Sequence, residues 1–471
     1  MSEQKAEIGM IGLGVMGRNL LLNINDHGHS AAGFDMDGDK VKQLEKEGEG
    51  KEIYAVDSAD KLMATLKKPR TVILLVPAGE PVDSVIKELL PSLEEDDLVV
   101  DGGNSNFKDT NRRTEMMESK KLSFIGVGIS GGEKGARYGP SMMPGGTEKA
   151  YRRVQNIFEQ VAAHVDDDPC VTYLGPKSAG HYVKMVHNGI EYAIIQLIAE
   201  TYDLMKRSLG LTNNELGDVY TRWNEQELSS YLVEITGKIF MRQDDESDKR
   251  LIDMIRDQAK QKGTGKWTSQ DAMDLQVPVP TIDAAVAARD MSGYKSERVT
   301  ASDVLHGPSI KFTGDTDRFI DNIRNALFFS MITAYAQGMS LLRAASAKYE
   351  YGLSMKDIAR IWRGGCIIRA ALLEEMRSVF SDKPDLANLM LSEHFSKELH
   401  ARQDDTRQVI AHAVQLGVPV PALTASLAYF DSYRSAWLPA NLIQAQRDFF
   451  GSHTYERIDK DGIFHTQWEE K

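Results

Sequence analysis

The chain has 471 residues, too many for one hydrophobic core, so we expect two or three domains. Apolar residues make up 42% and charged residues 27%, as in ordinary globular proteins, and no apolar run approaches the roughly 18 residues that span a bilayer. The net charge of -13 argues against a nucleic-acid-binding surface. The N-terminus has no signal-peptide pattern, which predicts a cytoplasmic protein without nucleic-acid or membrane partners.

A glycine-rich turn near the N-terminus predicts a dinucleotide site. The motif GLGVMG follows a short strand at Glu7–Ile11 and precedes an apolar-periodic helix. In G-x-G-x-x-G the first glycine allows a tight turn, the second lets the backbone approach a pyrophosphate, and the third allows close helix–strand packing. The helix N-terminus then faces the anion. The residues expected against the cofactor are Gly12, Gly14, Val15, Met16 and Gly17.

The second predicted strand, Ser30–Phe34, ends in Asp35-Met36-Asp37. Asp35 lies 21 residues after Gly14, where an acidic side chain is expected to hold the adenosine ribose hydroxyls. Each carboxylate would repel a 2′-phosphate by about 1 kcal/mol or more at ~5 Å. The sequence therefore predicts NAD rather than NADP, although Asp37 could equally belong to a plain turn.

Further strands alternate with helices and predict an α/β doubly wound parallel sheet of the Rossmann type. They are Thr71–Val76, Leu98–Asp101 and Ser123–Val127. The small-residue segments Asp101–Ser105 and Gly126–Gly132 are predicted as loops at the ligand-binding end of this sheet, although each alone could be an ordinary turn. Asn104 and Ser130 could hydrogen-bond a substrate there. Tyr138–Gly146 is predicted to be a longer irregular loop.

The segment Gly180–Tyr192 places four polar side chains on one helical stripe. Lys184, His187, Asn188 and Glu191 fall at i, i+3, i+4 and i+7. A lysine and a glutamate two turns apart make an acid–base pair. The alternative is a solvated helix face that carries one histidine.

From residue 179 onward the pattern is helical and contains an internal repeat. Leu211–Tyr220 resembles Leu353–Trp362 at an offset of 142 residues, and each begins with a capping-box pattern after a long helix. The loop QKGTGKWT offers Lys262, Thr264 and Lys266 as phosphate donors, or is simply solvated. The aromatic tail from Leu438 is expected to pack on something, such as a second subunit.

The two cysteines, Cys170 and Cys366, lie far apart and form no metal-binding or disulfide pattern, so we expect packed thiols. His394 and His400 have no partner at metal-ligand spacing. The sequence therefore predicts no metal site.

Taken together, seven separated motifs resemble the 6-phosphogluconate dehydrogenase family along essentially the whole chain. They are GLGVMGRNL, DGGNS, GISGGEKGARYGPSMMPGG, HYVKMVHNGIEY, QKGTGKWT, AARDMS and QAQRDFFGSHTYE. The resemblance implies a Rossmann-type domain at 1–178, a large all-α domain built by duplication at 179–437, and a tail at 438–471 that contacts the partner subunit of a homodimer. It also implies oxidation of 6-phospho-D-gluconate and its decarboxylation to ribulose 5-phosphate in the pentose phosphate pathway.

The resemblance further assigns roles to individual residues. Lys184 matches the general base that takes the C3 hydroxyl proton, and Glu191 matches the acid that protonates C1 of the enediol left after CO2 departs. The residues that match the sugar-acid site are Asn104, Ser130, Gly131, Gly132, His187 and Asn188. The phosphate site is matched by Tyr192, Lys262, Thr264 and Arg289, and is completed from the other subunit by Arg447 and His453. The cofactor site is matched by the glycine turn, Asp35, Met36, Asp37, Val76, Pro77, Ala78 and Asn104.

One departure concerns the cofactor. NADP-using members of the family carry Asn-Arg-Thr where this chain has Asp35-Met36-Asp37, and Pro77 stands where a lysine is common. We therefore expect NAD; the alternative is an NADP enzyme that uses Arg70 or Lys40 as the cation. Two other functions stay open at this point, a hydroxyisobutyrate-like β-hydroxyacid dehydrogenase and a non-catalytic nucleotide-sensing protein.

Overall fold

The computed structural model describes residues 5–469, and the chain divides after Ser426 into two compact units. No helix in the described part of the chain combines the length and apolarity needed to cross a membrane. The boundaries predicted at residues 178 and 437 stay predictions, and positions 1–4 and 470–471 of the predicted domains lie outside the described residues.

The first unit begins with a seven-stranded sheet in the order β3-β2-β1-β4-β5-β6-β7. The strands are β1 (Ile8–Ile11), β2 (Ala31–Phe34), β3 (Ile53–Ala55), β4 (Thr71–Leu74), β5 (Leu98–Asp101), β6 (Ser123–Ser130) and β7 (Ser141–Gly146). The pairings among β1 to β6 are all parallel, and β7 pairs with β6 in the antiparallel direction. The helices are α1 (Val15–Asp26), α2 (Gly38–Glu47), α3 (Ala59–Thr65), α4 (Glu80–Leu89), α5 (Phe107–Glu118), α6 (Gly132–Tyr138) and α7 (Glu148–Val161). The predicted Rossmann-type sheet is confirmed.

Two segments predicted as loops are strands instead. β6 continues to Ser130, so Gly126 and Gly128 lie within it, and the irregular loop predicted at Tyr138–Gly146 contains β7. β7 tolerates Pro144 because it is the last strand of the sheet order. A side chain at Gly128 would place its Cβ 2.3 Å from the Cβ of Lys184. Glycine serves here to let a helix approach the sheet, and sequence patterns do not distinguish that use from a turn.

A helical body follows a two-stranded hairpin, β8 (His164–Val165) with β9 (Asp168–Pro169). Its helices are α8 (Ala179–Leu204), α9 (Asn213–Asn224), α10 (Tyr231–Met241), α11 (Leu251–Met254), α12 (Thr264–Asp274), α13 (Pro280–Gly293), α14 (Lys295–Val304), α15 (Thr316–Tyr349), α16 (Met355–Trp362), α17 (Leu372–Asp382), α18 (Glu393–Leu416) and α19 (Pro421–Tyr433). The predicted all-helical architecture is confirmed, and Cys170 and Cys366 are buried free thiols.

The internal repeat appears as two pairs of a long and a short helix, α8–α9 and α15–α16. Thr212 and Glu215 form a complete capping box at the start of α9. At the start of α16, the Ser354 hydroxyl accepts a hydrogen bond from the Asp357 backbone N–H. The two short helices therefore begin with the same kind of cap, as the repeated sequence pattern predicts.

The second unit contains α20 (Ala440–Gly451) and a small hairpin of β10 (Tyr455–Glu456) with β11 (Ile463–Phe464). Its aromatic segment folds around the buried side chain of Asp448. This carboxylate accepts hydrogen bonds from the backbone N–H groups of Thr454 and Thr466, from His465 Nδ1 and from Trp468 Nε1. Although burial alone would raise it, these bonds hold the pKa of Asp448 at about 2.

Candidate active site

The glycine turn between β1 and α1 has the shape that a dinucleotide requires. Gly12 has φ of +97°, and a Cβ there would lie 2.5 Å from the carbonyl oxygen of Leu75. A Cβ on Gly17 would lie 1.8 Å from the carbonyl oxygen of Gly12, whereas one on Gly14 would meet open space. No side chain caps the first turn of α1. The turn therefore leaves free backbone N–H groups and room for a pyrophosphate beside Gly14, Val15 and Met16.

Asp35, which follows β2, is hydrogen-bonded to this turn. The backbone N–H of Leu13 donates to Asp35 Oδ2 at 2.7 Å, so one carboxylate oxygen is fixed by the turn itself. Lys40 Nζ lies 3.4 Å from Asp35 Oδ1 and 3.7 Å from Asp37 Oδ2. Met36 is 91% exposed, and Asp37 caps α2 by accepting from the Asp39 N–H. One cation thus faces two carboxylates.

The alternative NADP cation Arg70 is excluded by its position. It precedes β4 and therefore lies at the amino end of the parallel strands, opposite the glycine turn. Its guanidinium is buried and donates to Asp97 Oδ2 at 2.8 Å. The suggestion that Arg70 holds a 2′-phosphate is wrong for that reason.

The loops that follow β4 and β5 carry the remaining predicted cofactor residues. Val76, Pro77 and Ala78 follow β4, and Asn104 lies exposed in the loop after β5. The two strands are parallel neighbours, so both loops lie at the same edge of the sheet as the glycine turn.

Four polar side chains of α8 meet the end of β6 inside the protein. Lys184 Nζ lies 2.5 Å from Asn188 Oδ1, His187 Nδ1 lies 3.1 Å from the same oxygen, and His187 Nε2 lies 3.3 Å from Ser130 Oγ. Glu191 Oε2 lies 3.8 Å from His187 Nδ1. Lys184 is 6% exposed and His187 is fully buried. The alternative of a solvated helix face is therefore wrong.

The hydrogen bonds fix the proton positions on His187. Burial and the nearby charge of Lys184 hold the pKa of His187 well below its ordinary value, so the ring is neutral. The Asn188 carbonyl oxygen can only accept, which places the single ring proton on Nδ1. Nε2 then accepts from the Ser130 hydroxyl, whose oxygen accepts from the Ile367 N–H at 3.4 Å.

Burial shifts the pKa values of Lys184 and Glu191 toward each other. It lowers the pKa of Lys184, with the Glu191 charge opposing the shift. It raises the pKa of Glu191, with Lys184 and Arg289 opposing. The two shifts favour a neutral amine and a protonated carboxyl, the forms that a base and an acid require.

A candidate phosphate site lies one helical turn beyond Asn188. The Asn188 amide donates to Thr264 Oγ1 at 3.1 Å, and Thr264 is the first residue of α12, after Gly263 with φ of +96°. The Arg289 guanidinium lies 3.5 Å from the ring centroid of Tyr192. Lys262 is exposed just before this helix. A helix N-terminus, an arginine and a lysine together suit an anionic group.

The remaining predicted residues divide between the two units. Gly131, with φ of +126°, directly follows Ser130, and Gly132, with φ of +62°, begins α6. Arg447 and His453 are exposed in the second unit, and their predicted role concerns another copy of the chain. Among residues 5–469, histidine, cysteine and carboxylate side chains form no group of three that could hold a metal ion.

Sequence reasoning missed two buried side chains that support the site, Arg113 and His181. Arg113 contacts both loops after β4 and β5, and His181 joins the second of them to α8. His181 lies one turn before Lys184 on the same stripe, which could have drawn attention to it. Arg113 lies in a polar helical stretch that gives no sign of burial.

Comparison with known proteins covers both parts of the chain. A family model described as the NAD binding domain of 6-phosphogluconate dehydrogenase matches residues 7–175, and one described as the 6-phosphogluconate dehydrogenase C-terminal domain matches residues 180–468. A Bacillus subtilis (strain 168) relative, named as an NADP(+)-dependent, decarboxylating 6-phosphogluconate dehydrogenase, is 50% identical over 465 residues, 98% of this chain and 99% of the relative. A decarboxylating 6-phosphogluconate dehydrogenase of Synechococcus elongatus is 51% identical over 466 residues, again 98% and 99% of the two chains.

A solved structure gives the same result for the fold. It is of the Plasmodium falciparum 6-phosphogluconate dehydrogenase, described in its apo form, with its cofactor NADP+ and with its substrate 6-phosphogluconate. Its TM-score to this chain is 0.95 at 43% identity, with 98% of this chain and 100% of that chain covered.

Proposed function

This chain belongs to the 6-phosphogluconate dehydrogenase family, and from that premise we propose how its own residues perform the reaction. The protein oxidises and decarboxylates 6-phospho-D-gluconate to D-ribulose 5-phosphate and CO2, with reduction of NAD(P)+, in the pentose phosphate pathway. The observation that carries the proposed roles is the stripe of Lys184, His187, Asn188 and Glu191 against Ser130, of which the first three are buried and Glu191 is partly exposed.

Lys184 acts first, as the general base. Its lowered pKa lets the neutral amine accept the proton of the C3 hydroxyl. The bound nicotinamide supplies the acceptor for the hydride that leaves C3. The Asn188 carbonyl oxygen accepts from the amine and holds it in place, and the neutral His187 adds no competing charge.

Decarboxylation of the resulting 3-keto acid follows. The C3 carbonyl accepts the electron pair of the breaking C1–C2 bond, and the Lys184 ammonium stabilises and protonates the developing enolate oxygen. Carbon dioxide leaves and an enediol remains. Glu191, whose pKa burial raises, delivers a proton to C1 of the enediol, which was C2 of the substrate. The Lys184 amine takes back the proton of the enediol hydroxyl, and the ketone product results.

For the cofactor, we propose NAD as the preferred substrate. The support is the pair Asp35 and Asp37 beside the glycine turn, with Met36 exposed between them. Lys40 is already shared between the two carboxylates, so a 2′-phosphate would meet net negative charge. The Bacillus subtilis relative is named as NADP-dependent, so this chain would differ from it.

For the assembly, we propose a homodimer in which the tail of one copy completes the site of the other. A groove in the first unit has an apolar strip that includes Ala284, Ala287 and Ala288, beside polar and charged side chains such as Glu200 and Arg298. Ala288 directly precedes Arg289. The tail exposes a matching set of apolar side chains: Trp437, Leu438, Leu442, Ile443, Phe449 and Phe450. A tail in this groove would bring Arg447 and His453 to the substrate phosphate.

One steady-state assay tests the function and the cofactor together. We expect 6-phosphogluconate to release CO2 in a 1:1 ratio with reduced cofactor, and NAD to give the higher kcat/KM. The double variant Asp35→Asn, Met36→Arg should move the preference toward NADP, because it removes one anion and adds one cation. A clear NADP preference of the wild type contradicts the cofactor proposal. Equal turnover of unphosphorylated gluconate contradicts the phosphate site, and binding without CO2 release contradicts catalysis.

A further inference from the structure

The two loops at the nicotinamide edge of the sheet share one buried anchor, Arg113. This residue lies on α5, and its side chain is fully buried. It contacts the loop after β4 at Gly79 and the loop after β5 at Ser105. These loops carry Val76–Ala78 and Asn104, which the family resemblance assigns to the cofactor and the substrate.

The Arg113 guanidinium donates five hydrogen bonds. Nε and Nη2 donate to the two oxygens of Asp83 at 2.9 and 3.1 Å, and Nη2 donates to the Gly79 carbonyl at 2.9 Å. Nη1 donates to Asp101 Oδ2 and to Ser105 Oγ, both at 3.3 Å. The bonds from Arg113 hold the pKa of Asp83 at about 2. The planar arginine fork has five donor N–H bonds, so no other side chain could replace this set.

The same loop is tied to the catalytic helix. Asp101 Oδ1 accepts from the Gly103 N–H at 3.1 Å, and Asp101 Oδ2 accepts from the Ser105 hydroxyl at 2.6 Å. His181, three residues before Lys184 on α8, lies with Nε2 3.1 Å from the Asp101 carbonyl. Its Nδ1 lies 2.6 Å from the Thr110 hydroxyl. The loop is therefore held between Arg113 on one side and α8 on the other.

We propose that Arg113 is a positioning residue for hydride transfer, because it sets the two loops relative to each other and to Lys184. This inference rests on the proposed function, in which Lys184 takes the C3 hydroxyl proton while a hydride passes to the nicotinamide, and on the assignment of Val76–Ala78 and Asn104 to the cofactor. Arg113 touches neither reactant itself and acts through Gly79, Asp101 and Ser105. Loss of its fork geometry should misplace the reacting atoms, while the remote phosphate contacts at Thr264 and Arg289 stay intact.

The chain offers a matched control at the opposite end of the same two strands. Arg70 precedes β4 and Asp97 precedes β5. The Arg70 guanidinium is buried, donates to Asp97 Oδ2 at 2.8 Å and to the Met63 carbonyl at 3.0 Å, and contacts neither loop of the site. Arg70→Lys and Arg113→Lys therefore disturb the same kind of buried arginine–aspartate pair at opposite ends of one strand pair.

The experiment compares these two variants with the wild type. For Arg113→Lys we expect kcat to fall about 100-fold with KM for 6-phosphogluconate changed less than about threefold, because a misplacement near 1 Å costs that much in rate. A second readout needs no activity: amide hydrogen exchange of residues 76–79 and 101–105 in the protein without cofactor should accelerate. Arg70→Lys should leave kcat within about threefold and the exchange of both loops unchanged.

Two results overturn the proposal. One is unchanged loop exchange together with near wild-type kcat in a folded Arg113→Lys variant; the other is an equal loss of kcat in Arg70→Lys. If Arg113→Lys does not fold, the variant Asp83→Asn tests the proposal instead. Asp83 is half-buried on α4 and accepts hydrogen bonds only from Nε and Nη2 of Arg113, so its loss leaves the Nη1 contacts in place. We expect a smaller loss, about 10-fold in kcat, with faster exchange at Gly79, and no change in either contradicts the role. A wild type that fails to turn over 6-phosphogluconate counts against the function alone, since loop exchange is measured independently.

Discussion

The two long helices of the repeat share an architecture but not a chemistry. At the offset of 142 residues, the α8 stripe of Lys184, His187, Asn188 and Glu191 corresponds in α15 to Ala326, Phe329, Ser330 and Thr333. All four α15 residues are buried, as are Lys184, His187 and Asn188 in α8. The helices pack on each other, since a Cβ on Gly338 of α15 would lie 2.4 Å from Ile190 of α8.

This comparison separates what the fold requires from what the reaction requires. The α15 copy shows that the position can be filled by apolar and small side chains. Burying an amine and a carboxyl instead carries a desolvation cost of several kcal/mol per ion before partners offset it. The polar stripe of α8 is therefore retained for its chemistry, in line with the clustering of shifted pKa values at functional sites.

Among changes to the two helices, removal of the base from α8 should have the largest effect on activity. Lys184→Met keeps the length and apolar stem of the side chain but leaves no proton acceptor. We expect kcat to fall about 10³-fold or more, with KM for 6-phosphogluconate changed far less. Because a buried charge disappears, the thermal midpoint should hold or rise. A kcat near that of the wild type would remove Lys184 from its role.

A change in the α15 copy is the smallest expected effect and serves as the control. Ser330 corresponds to Asn188, and its buried hydroxyl has no hydrogen-bond partner in the part of the chain that the structure describes. In Ser330→Ala we expect unchanged kcat and a free energy of unfolding equal to the wild type or up to about 1 kcal/mol higher. Chemical denaturation and the steady-state assay check both values. A marked loss of kcat would show that the α15 copy also serves the reaction.

The sequence predicted the fold wherever one rule of local periodicity or spacing was sufficient. The glycine turn, the acid after β2 and the stripe on α8 follow from such rules. The structure brings Lys184, His187, Asn188 and Ser130 together, but only the family resemblance placed Ser130 with the stripe. β7 was missed because its glycines and proline resemble a turn, whereas Gly145 in fact allows close contact with α8, since a Cβ there would lie 2.2 Å from the Gly180 nitrogen. Because that contact joins segments far apart in the chain, local sequence periodicity cannot predict it.

Arg113 illustrates the same limit for the site. It stands beside Arg112, which is half-exposed and also binds Asp83, and the two arginines look equivalent in the sequence. Only the approach of the loops after β4 and β5 distinguishes them, because it buries one guanidinium and leaves the other in solvent. Burial of a charged side chain depends on tertiary packing, so local composition could not predict it.

The pH dependence of kcat/KM for 6-phosphogluconate, in the wild type and in Glu191→Gln, tests the central claim most directly. Lys184 must lose a proton to act as the base and Glu191 must keep one to act as the acid, so the wild type should show a bell-shaped profile. In Glu191→Gln, Lys184 is the member of the pair that still titrates, so activity should rise with pH to a plateau. That rise should lie at lower pH than the lysine ionisation of the wild type, because the Glu191 charge that raises the pKa of Lys184 is gone. A variant that keeps both limbs of the wild-type profile would contradict the acid–base pair on α8.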